Sequence, residues 1–414
     1  MIGQFIFGAA NHPEPTRYAS ISARLPTPLE TINLQQRLDS SLVPIRREND
    51  QSIQGVSMEY VSSKGLSRRQ LLRLGLTTTA ATLLPGYVEF ANTPQSFAQR
   101  QANPLPSWND GEAKAAVVDF IHATTDRSSS RFVSPEQCVA TFDQDGTLWV
   151  EQPMYSQVVY CFDRVPALVK AMPELANVDP FKTIMSGDRA AIAKLPTPEL
   201  MKVLAATLTG MSVDDFEDQV KHWLQSARDP RWKKPFTQLV YQPMIEVLQY
   251  FRNNGYKSYI VTGGGQDFVR TYSEHVYGIP PEQVVGTAGG TTFGYDAKGN
   301  PILTKDPKLL LNDDKAGKPE GIHLMIGRRP FASFGNSIGD RQMLEYTKAG
   351  EGERLAMLVF HDDKQREYAY GPAQGLPESK VGTFTQALYD EAKSKGWIVV
   401  SMKNDWNRIF AFEN

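Results

Sequence analysis

Residues 139–142 read Val-Ala-Thr-Phe and run directly into Asp143-Gln144-Asp145-Gly146-Thr147. A short apolar run stopped by a glycine predicts a buried strand, because a strand covered on both faces needs no polar alternation. Ligands bind at the carboxyl ends of strands in open α/β sheets, so the two aspartates emerge at the functional edge of such a sheet. Side chains two apart on an extended chain point the same way. Two carboxylates on one spot are costly unless a cation or a shared proton lies between them. The pair therefore suits an aspartate nucleophile, a neighbouring general acid and a divalent metal. An Asp-Gly turn without chemistry is the plainer reading of the same residues.

The rest of the chain sets the fold class. Apolar residues recur at helical steps from about residue 155 to 238, for example Leu200, Val203, Leu204 and Leu208, and then Phe216, Val220, Trp223 and Leu224. Helices are expected at 110–125 and 242–253, the second ended by Gly255. Buried strands are expected at 257–261, 283–285, 331–334, 355–360 and 397–402, and the 295–300 segment carries the turn chemistry of a hairpin. Strands alternating with helices predict an α/β protein, a Rossmann-like parallel sheet with helices on both faces. The helical block at 155–238 interrupts that alternation and reads as a cap on a core made of 99–154 and 239–414.

The first 98 residues differ in character from the remainder of the chain. Ser67-Arg68-Arg69-Gln70-Leu71-Leu72 precedes an uncharged stretch from Leu74 to Val88, the pattern of a twin-arginine export signal. Small residues at Ser96-Phe97-Ala98 give a cleavage point after Ala98. The stretch is shorter than the roughly 20 apolar residues of a membrane span. The expectation is an exported, periplasmic protein with no stable membrane insertion once the signal is removed. Residues 1–57, rich in Pro, Ser, Gln and Arg, fit a misassigned start with Met58 as initiator, or a disordered extension. The charge balance, 44 Lys+Arg against 46 Asp+Glu, gives no pull toward nucleic acid. Six scattered histidines offer no zinc-like pair, and Cys138 and Cys161 match neither a disulfide framework nor a CxxC motif. They read as small apolar residues, with one bridge open to an exported chain.

Three further segments carry chemistry. Thr262-Gly263-Gly264-Gly265 puts a hydroxyl at a strand end and glycines before a helix, an anion cradle of backbone N–H groups. There is no GxGxxG to make it a dinucleotide site. Asp313-Asp314-Lys315-Ala316-Gly317-Lys318-Pro319 offers a lysine to neutralise a phosphate and keep a nucleophilic carboxylate ionised. Gly335-Asn336-Ser337-Ile338-Gly339-Asp340 follows an apolar strand with an amide and a carboxylate, donors suited to magnesium.

These four segments, in this order, resemble the haloacid dehalogenase superfamily over about residues 115–406, and the helical insertion after the first motif resembles its phosphoserine-phosphatase-like branch. The resemblance implies Asp143 as nucleophile, Asp145 as general acid and base, and Thr262, Lys318 and the Gly263 and Gly264 amides as phosphate contacts. Lys318, followed by proline, is ahead of Lys315. It also implies Mg²⁺ on Asp143, Asp145 and Asp340. Asn336 stands where many members have an aspartate, so Asp340 is favoured as the ligand and Asn336 as a nearby ligand or substrate contact. The implied activity is hydrolysis of a small phosphorylated metabolite. A phosphotransferase, or an exported binding protein with a vestigial site, are the alternatives. Glu151 reads as a surface charge, with a cationic substrate group as its other possible partner, and His361 reads as structural.

Overall fold

The computed structural model describes residues 103–413 apart from residue 193; the expected export signal and N-terminal extension lie outside the described residues. Helix α1 (Glu112–Thr125) opens the described chain, with Val117, Phe120, Ile121 and Thr124 on its buried side. It leads to β1 (Val139–Phe142), all four of whose residues are buried.

The described residues between β1 and the next strand form helices and turns. The longest are α2 (Ser156–Ala171), α3 (Thr197–Leu208), α4 (Val213–Ser226) and α5 (Gln242–Asn253). The helical periodicity read from the sequence is realised in α4, which buries Phe216, Val220, Trp223 and Leu224. Its start is fixed by Ser212, whose hydroxyl accepts the Asp215 N–H.

The remaining strands are β2 (Lys257–Gly265), β3 (Val284–Tyr295), β4 (Pro301–Leu311), β5 (Ala332–Gly335), β6 (Leu355–Phe360) and β7 (Ile398–Ser401). Together with β1 they form one sheet in the order β4-β3-β2-β1-β5-β6-β7. Every neighbouring pair is parallel except β3–β4, an antiparallel hairpin closed over Asp296–Asn300. The α/β class and the parallel core are as expected.

Two elements extend beyond the expectation. β2 does not stop at Val261 but continues through Gly265, because Thr262 and Gly265 still pair with β3, with a register shift between them. β3 runs to Tyr295 rather than ending at the apolar Val284-Val285, since its Gly- and Thr-rich half is held by β4 and not by core burial.

β1 lies between β2 and β5, so three carboxyl-terminal loops meet at its end. Phe142 pairs in register with Ile260 on one side and Phe334 on the other. The Phe142 and Phe334 rings stack with centroids 4.5 Å apart, and Phe251 of α5 packs edge-on against both. Full burial of each such side chain contributes about 1.5–3 kcal/mol, which anchors the strand whose next residue is Asp143. Cys138 and Cys161 are buried free thiols.

Candidate active site

Asp143 begins where the β1 ladder ends. Its N–H donates to the Phe334 carbonyl at 2.9 Å, extending the β1–β5 pairing by one bond and fixing the residue's direction. The chain then turns sharply at Gly146, whose φ of +78° is open to glycine and strained for other residues. The turn lets the Gly146 N–H reach the Trp149 carbonyl at 2.8 Å. It also lets Trp149 Nε1 donate to Asp145 Oδ1 at 2.7 Å. The two aspartates are thus oriented by separate groups, one by a strand and one by an indole.

Of the two lysines offered by the sequence, Lys318 is the one placed against Asp143. It lies on α7 (Gly317–Gly321), which α6 (Gln266–Tyr277) precedes in the core, and its Nζ donates to Asp143 Oδ1 at 2.6 Å and to the Val261 carbonyl at 2.7 Å. The same atom is 2.7 Å from Asp340 Oδ1. Lys315 is half-buried and uses its backbone N–H on the Gly339 carbonyl. Close approach of α7 depends on Gly317, where a side-chain carbon would overlap the Asn312 carbonyl oxygen.

Thr262 is buried, and its Oγ1 accepts the Gly264 N–H at 3.0 Å. The Gly265 N–H donates to Gln157 Oε1 of α2 at 2.8 Å, so the glycine segment is tied to the helical insertion. Thr262, Gly263, Gly264, Lys318, Asp143, Asp145 and Asp340 all line one pocket. The anion-side residues expected from sequence are therefore brought together.

In the last motif, Asp340 Oδ2 accepts the N–H groups of Asn336 and Ser337 at 2.9 and 3.0 Å. Its other oxygen faces Lys318. Asn336 is buried but does not line the pocket. Its amide oxygen accepts from Thr147 Oγ1 at 3.4 Å, and its Nδ2 donates to Glu151 Oε1 at 2.6 Å.

The family model for haloacid dehalogenase-like hydrolases matches residues 140–345, from β1 through the loop that carries Asp340. Residues 140–345 are thus a haloacid dehalogenase-like hydrolase domain. The chain is similar to a functionally unknown protein from Anaerococcus prevotii, with 15% identity over 63% of this chain and 89% of that one and a TM-score of 0.42. A protein of unknown function from Bordetella pertussis is 14% identical over 63% of this chain and 97% of its own, with a TM-score of 0.39. A phosphoserine phosphohydrolase-like protein from Francisella tularensis is 17% identical over 55% and 89%, with a TM-score of 0.30. No curated protein matches the sequence.

The haloacid dehalogenase motifs here enclose an excess of buried acid. Burial pushes the Asp143 carboxyl well above its ordinary range, and the neighbouring Asp340 adds to the effect against the opposing charge of Lys318. Burial likewise raises Asp145 to about 6, opposed mainly by the Trp149 hydrogen bond. Lys318 is held protonated by Asp143, Asp340 and Asp313 against the desolvation that would discharge it. Asp313, fully buried close to Lys318, is raised well above its usual value by desolvation.

Sequence reasoning missed two side chains of the site. Glu151 is not a surface charge: it is 2% exposed, lines the pocket, and accepts Tyr370 OH at 2.7 Å as well as Asn336 Nδ2. His361, at the end of β6, places Nε2 2.8 Å from the Gly146 carbonyl and Nδ1 3.0 Å from Glu367. It thus supports the turn that follows Asp143 and Asp145. The partners that hold both residues in place come from loops far away in sequence, and no local pattern marks them.

A cavity of about 300 Å³ adjoins the site between the helical insertion and the sheet. Met201, Leu204, Leu208, Phe216, Phe268 and Pro307 give it a largely apolar wall, with Lys202, Asp267, Lys305 and Asp306 as its charged residues, and Gln157 and Gly265 also line it. A carbon placed on Gly264 would stand 3.7 Å from Gln157 Oε1 and 3.8 Å from Asp145 Oδ2, so the cavity begins one residue's width from Asp145.

Proposed function

We propose that this hydrolase is a magnesium-dependent phosphatase that cleaves a small phosphate monoester through an aspartyl-phosphate on Asp143. The observation that carries the reading is the contact of Lys318 Nζ with Asp143 Oδ1 at 2.6 Å, with Asp145 two residues further along the same loop. A lysine in that position favours the ionised nucleophile against the effect of burial and meets the incoming anion.

Asp143 attacks phosphorus as the bond to the leaving oxygen breaks, and Asp145 in its acid form gives that oxygen a proton. Asp145 then takes a proton from the water that attacks phosphorus, the bond to Asp143 breaks, and phosphate leaves with both carboxyl groups restored. Lys318, Thr262 and the Gly263–Gly264 segment hold the phosphoryl oxygens, since positioning and charge stabilisation dominate this chemistry.

The donor set fits magnesium. Asp143, Asp145, Glu151, Asp313, Asp314 and Asp340 are all buried around the one ammonium group of Lys318, and magnesium takes oxygen ligands. Among the described residues no three acidic, histidine or cysteine side chains are already arranged as ligands. Magnesium keeps several waters and needs only one or two carboxylates from the protein. Asp143 and the Asp145 main-chain carbonyl would hold it, with a further carboxylate from the neighbouring loops; when bound, it would offset negative charge as a phosphate dianion approaches.

The apolar cavity supports a leaving group that is itself apolar, an aryl or alkyl alcohol, with the helices of 155–238 closing over it as a cap in the manner of the phosphoserine-phosphatase-like branch. The Arg68-Arg69 segment supports action after export, in the periplasm.

Release of phosphate from a panel of monoesters by the full chain tests the reading. Aryl and medium-chain alkyl phosphates should turn over with higher kcat/KM than phosphoserine or glycerol phosphate, the rate should vanish on chelation, and Asp143→Asn should abolish it. An active Asp143→Asn variant would remove the nucleophile. Activity indifferent to chelation would remove magnesium, and a preference for charged alcohols would remove the apolar leaving group.

A further inference from the structure

The superfamily motif has lost a carboxylate at Asn336, and the structure shows what stands there instead. Asn336 does not reach the pocket: its amide spans Thr147 on one side and Glu151 on the other. Glu151 does reach the pocket, beside Asp143 and Asp145. Its Oε1 is fixed by two donors, Asn336 Nδ2 at 2.6 Å and Tyr370 OH at 2.7 Å. The carboxylate is also clamped sterically, because a side-chain carbon on either Gly146 or Gly382 would collide with it. Asp340 directs Oδ2 to the amides of Asn336 and Ser337, and its Oδ1, 2.7 Å from the Lys318 ammonium, accepts no hydrogen bond.

We infer that Glu151 supplies to the divalent-cation site the carboxylate that Asn336 lacks. In this arrangement the charge absent from position 336 is returned from the loop after β1, and Asn336 has become the donor that aims it. Two groups hold Oε1, so the other oxygen of Glu151 is the one available for ligation, and the charge-assisted bond from Asn336 fixes its direction.

The inference rests on the magnesium reading, and direct binding separates the two. Manganese titration of the full chain, followed by calorimetry and by the electron paramagnetic resonance signal of the free ion, reads affinity without turnover. The wild type should bind one ion, and Glu151→Gln should weaken binding by at least about tenfold. Combining Glu151→Gln with Asn336→Asp exchanges amide and carboxylate within one hydrogen-bonded pair and should bring affinity back to within about threefold of wild type. Tyr370→Phe, which keeps the carboxylate and removes one of its donors, should bind more tightly than Glu151→Gln.

A wild type that binds no manganese or magnesium overturns the magnesium reading and this inference with it. A wild type that binds, with a folded Glu151→Gln variant binding equally well, overturns the assignment of Glu151 alone. If Tyr370→Phe weakens binding as much as Glu151→Gln and the exchanged double variant recovers nothing, Glu151 only shapes the loop, and the assignment is likewise overturned.

Discussion

Replacing Lys318 with methionine tests the electrostatic core of the site more severely than any other single change. The side chain is 2% exposed, and its ammonium group is 2.6 Å from Asp143, 2.7 Å from Asp340 and 2.7 Å from the Val261 carbonyl. Methionine fills a similar volume, so the loss is of charge and donors and not of packing. Removing one partner of a buried pair costs about 3–5 kcal/mol because the other charge is left uncompensated. Asp143 can escape part of that cost by taking up a proton. Its folded pKa is already raised, and loss of Lys318 raises it further, so the folded variant binds a proton that the unfolded chain releases. Stability then falls as pH increases, by up to about 1.4 kcal/mol per pH unit while that proton is retained. Urea denaturation with divalent cations chelated should therefore show a deficit of about 3–5 kcal/mol at pH 7.5 and a smaller one at pH 5.5. Adding Asp340→Asn to Lys318→Met should cost less than the sum of the two single changes, with a coupling of about 0.5–3 kcal/mol. A deficit below about 1 kcal/mol that does not change with pH would refute the buried ion pair.

Three other outcomes follow from the geometry. Gly317→Ala forces α7 away from the Asn312 carbonyl and should cost about 1–3 kcal/mol while lowering kcat through displacement of Lys318; unchanged kcat and denaturation midpoint would show that α7 tolerates the carbon. Trp149→Phe removes the indole donor from Asp145, should destabilise by about 1.5–3 kcal/mol, and should move the alkaline limb of the kcat–pH profile, where Asp145 must still carry its proton, upward from near 6; a profile identical to wild type counts against the assignment. Asp143 and Asp145, both raised by burial, bind protons in the folded state that the unfolded chain has lost. The metal-free protein should therefore lose thermal stability from pH 5 to 7.5 and regain it when magnesium is added at pH 7.5, and a midpoint that rises with pH would contradict this.

What the sequence made legible was whatever rests on short-range pattern. Val139–Phe142 is apolar at almost every position because β1 is buried on both faces, and the abrupt change to Asp143 marks where burial by the sheet ends. The helical insertion was legible for the same reason, since the buried side of α4 repeats at three- and four-residue steps. The end of β2 was not. Gly263-Gly264-Gly265 has no side chains to report a face, and only pairing with Gly286 and Thr287 across the sheet makes it a strand. Glu151 was misread because its burial is imposed by Tyr370, 219 residues away, and by Gly382. Lys318 lay between: its Lys-Pro context raised it above Lys315, but only the passage of α7 over the Val261 carbonyl decides the matter.

The order of strands explains how the site could lose an aspartate at position 336 and stay acidic. β1 separates two groups of loops. On one side, β2 and α7 bring Thr262 and Lys318, the groups that meet an anion. On the other, β5 and then β6 lie side by side, and their loops carry Asn336, His361 and Tyr370. Glu151 returns from the β1 loop into this second group and is bonded to Asn336 and Tyr370, while His361 holds the Gly146 carbonyl beside it. A change at 336 is thus met by Glu151 and Tyr370, which share no hydrogen bond with Lys318 or Thr262, while Asp340 of the same loop pairs with Lys318. The cation side can vary while the anion side stays fixed, provided the total carboxylate count near Asp143 is kept. Substitutions at Tyr370 or His361 should accordingly alter cation affinity and leave inhibition by inorganic phosphate, measured at saturating magnesium, close to wild type; substitutions at Thr262 should do the reverse. Equal effects of both groups on both ligands would mean that the site behaves as one unit and that the sheet order does not partition it.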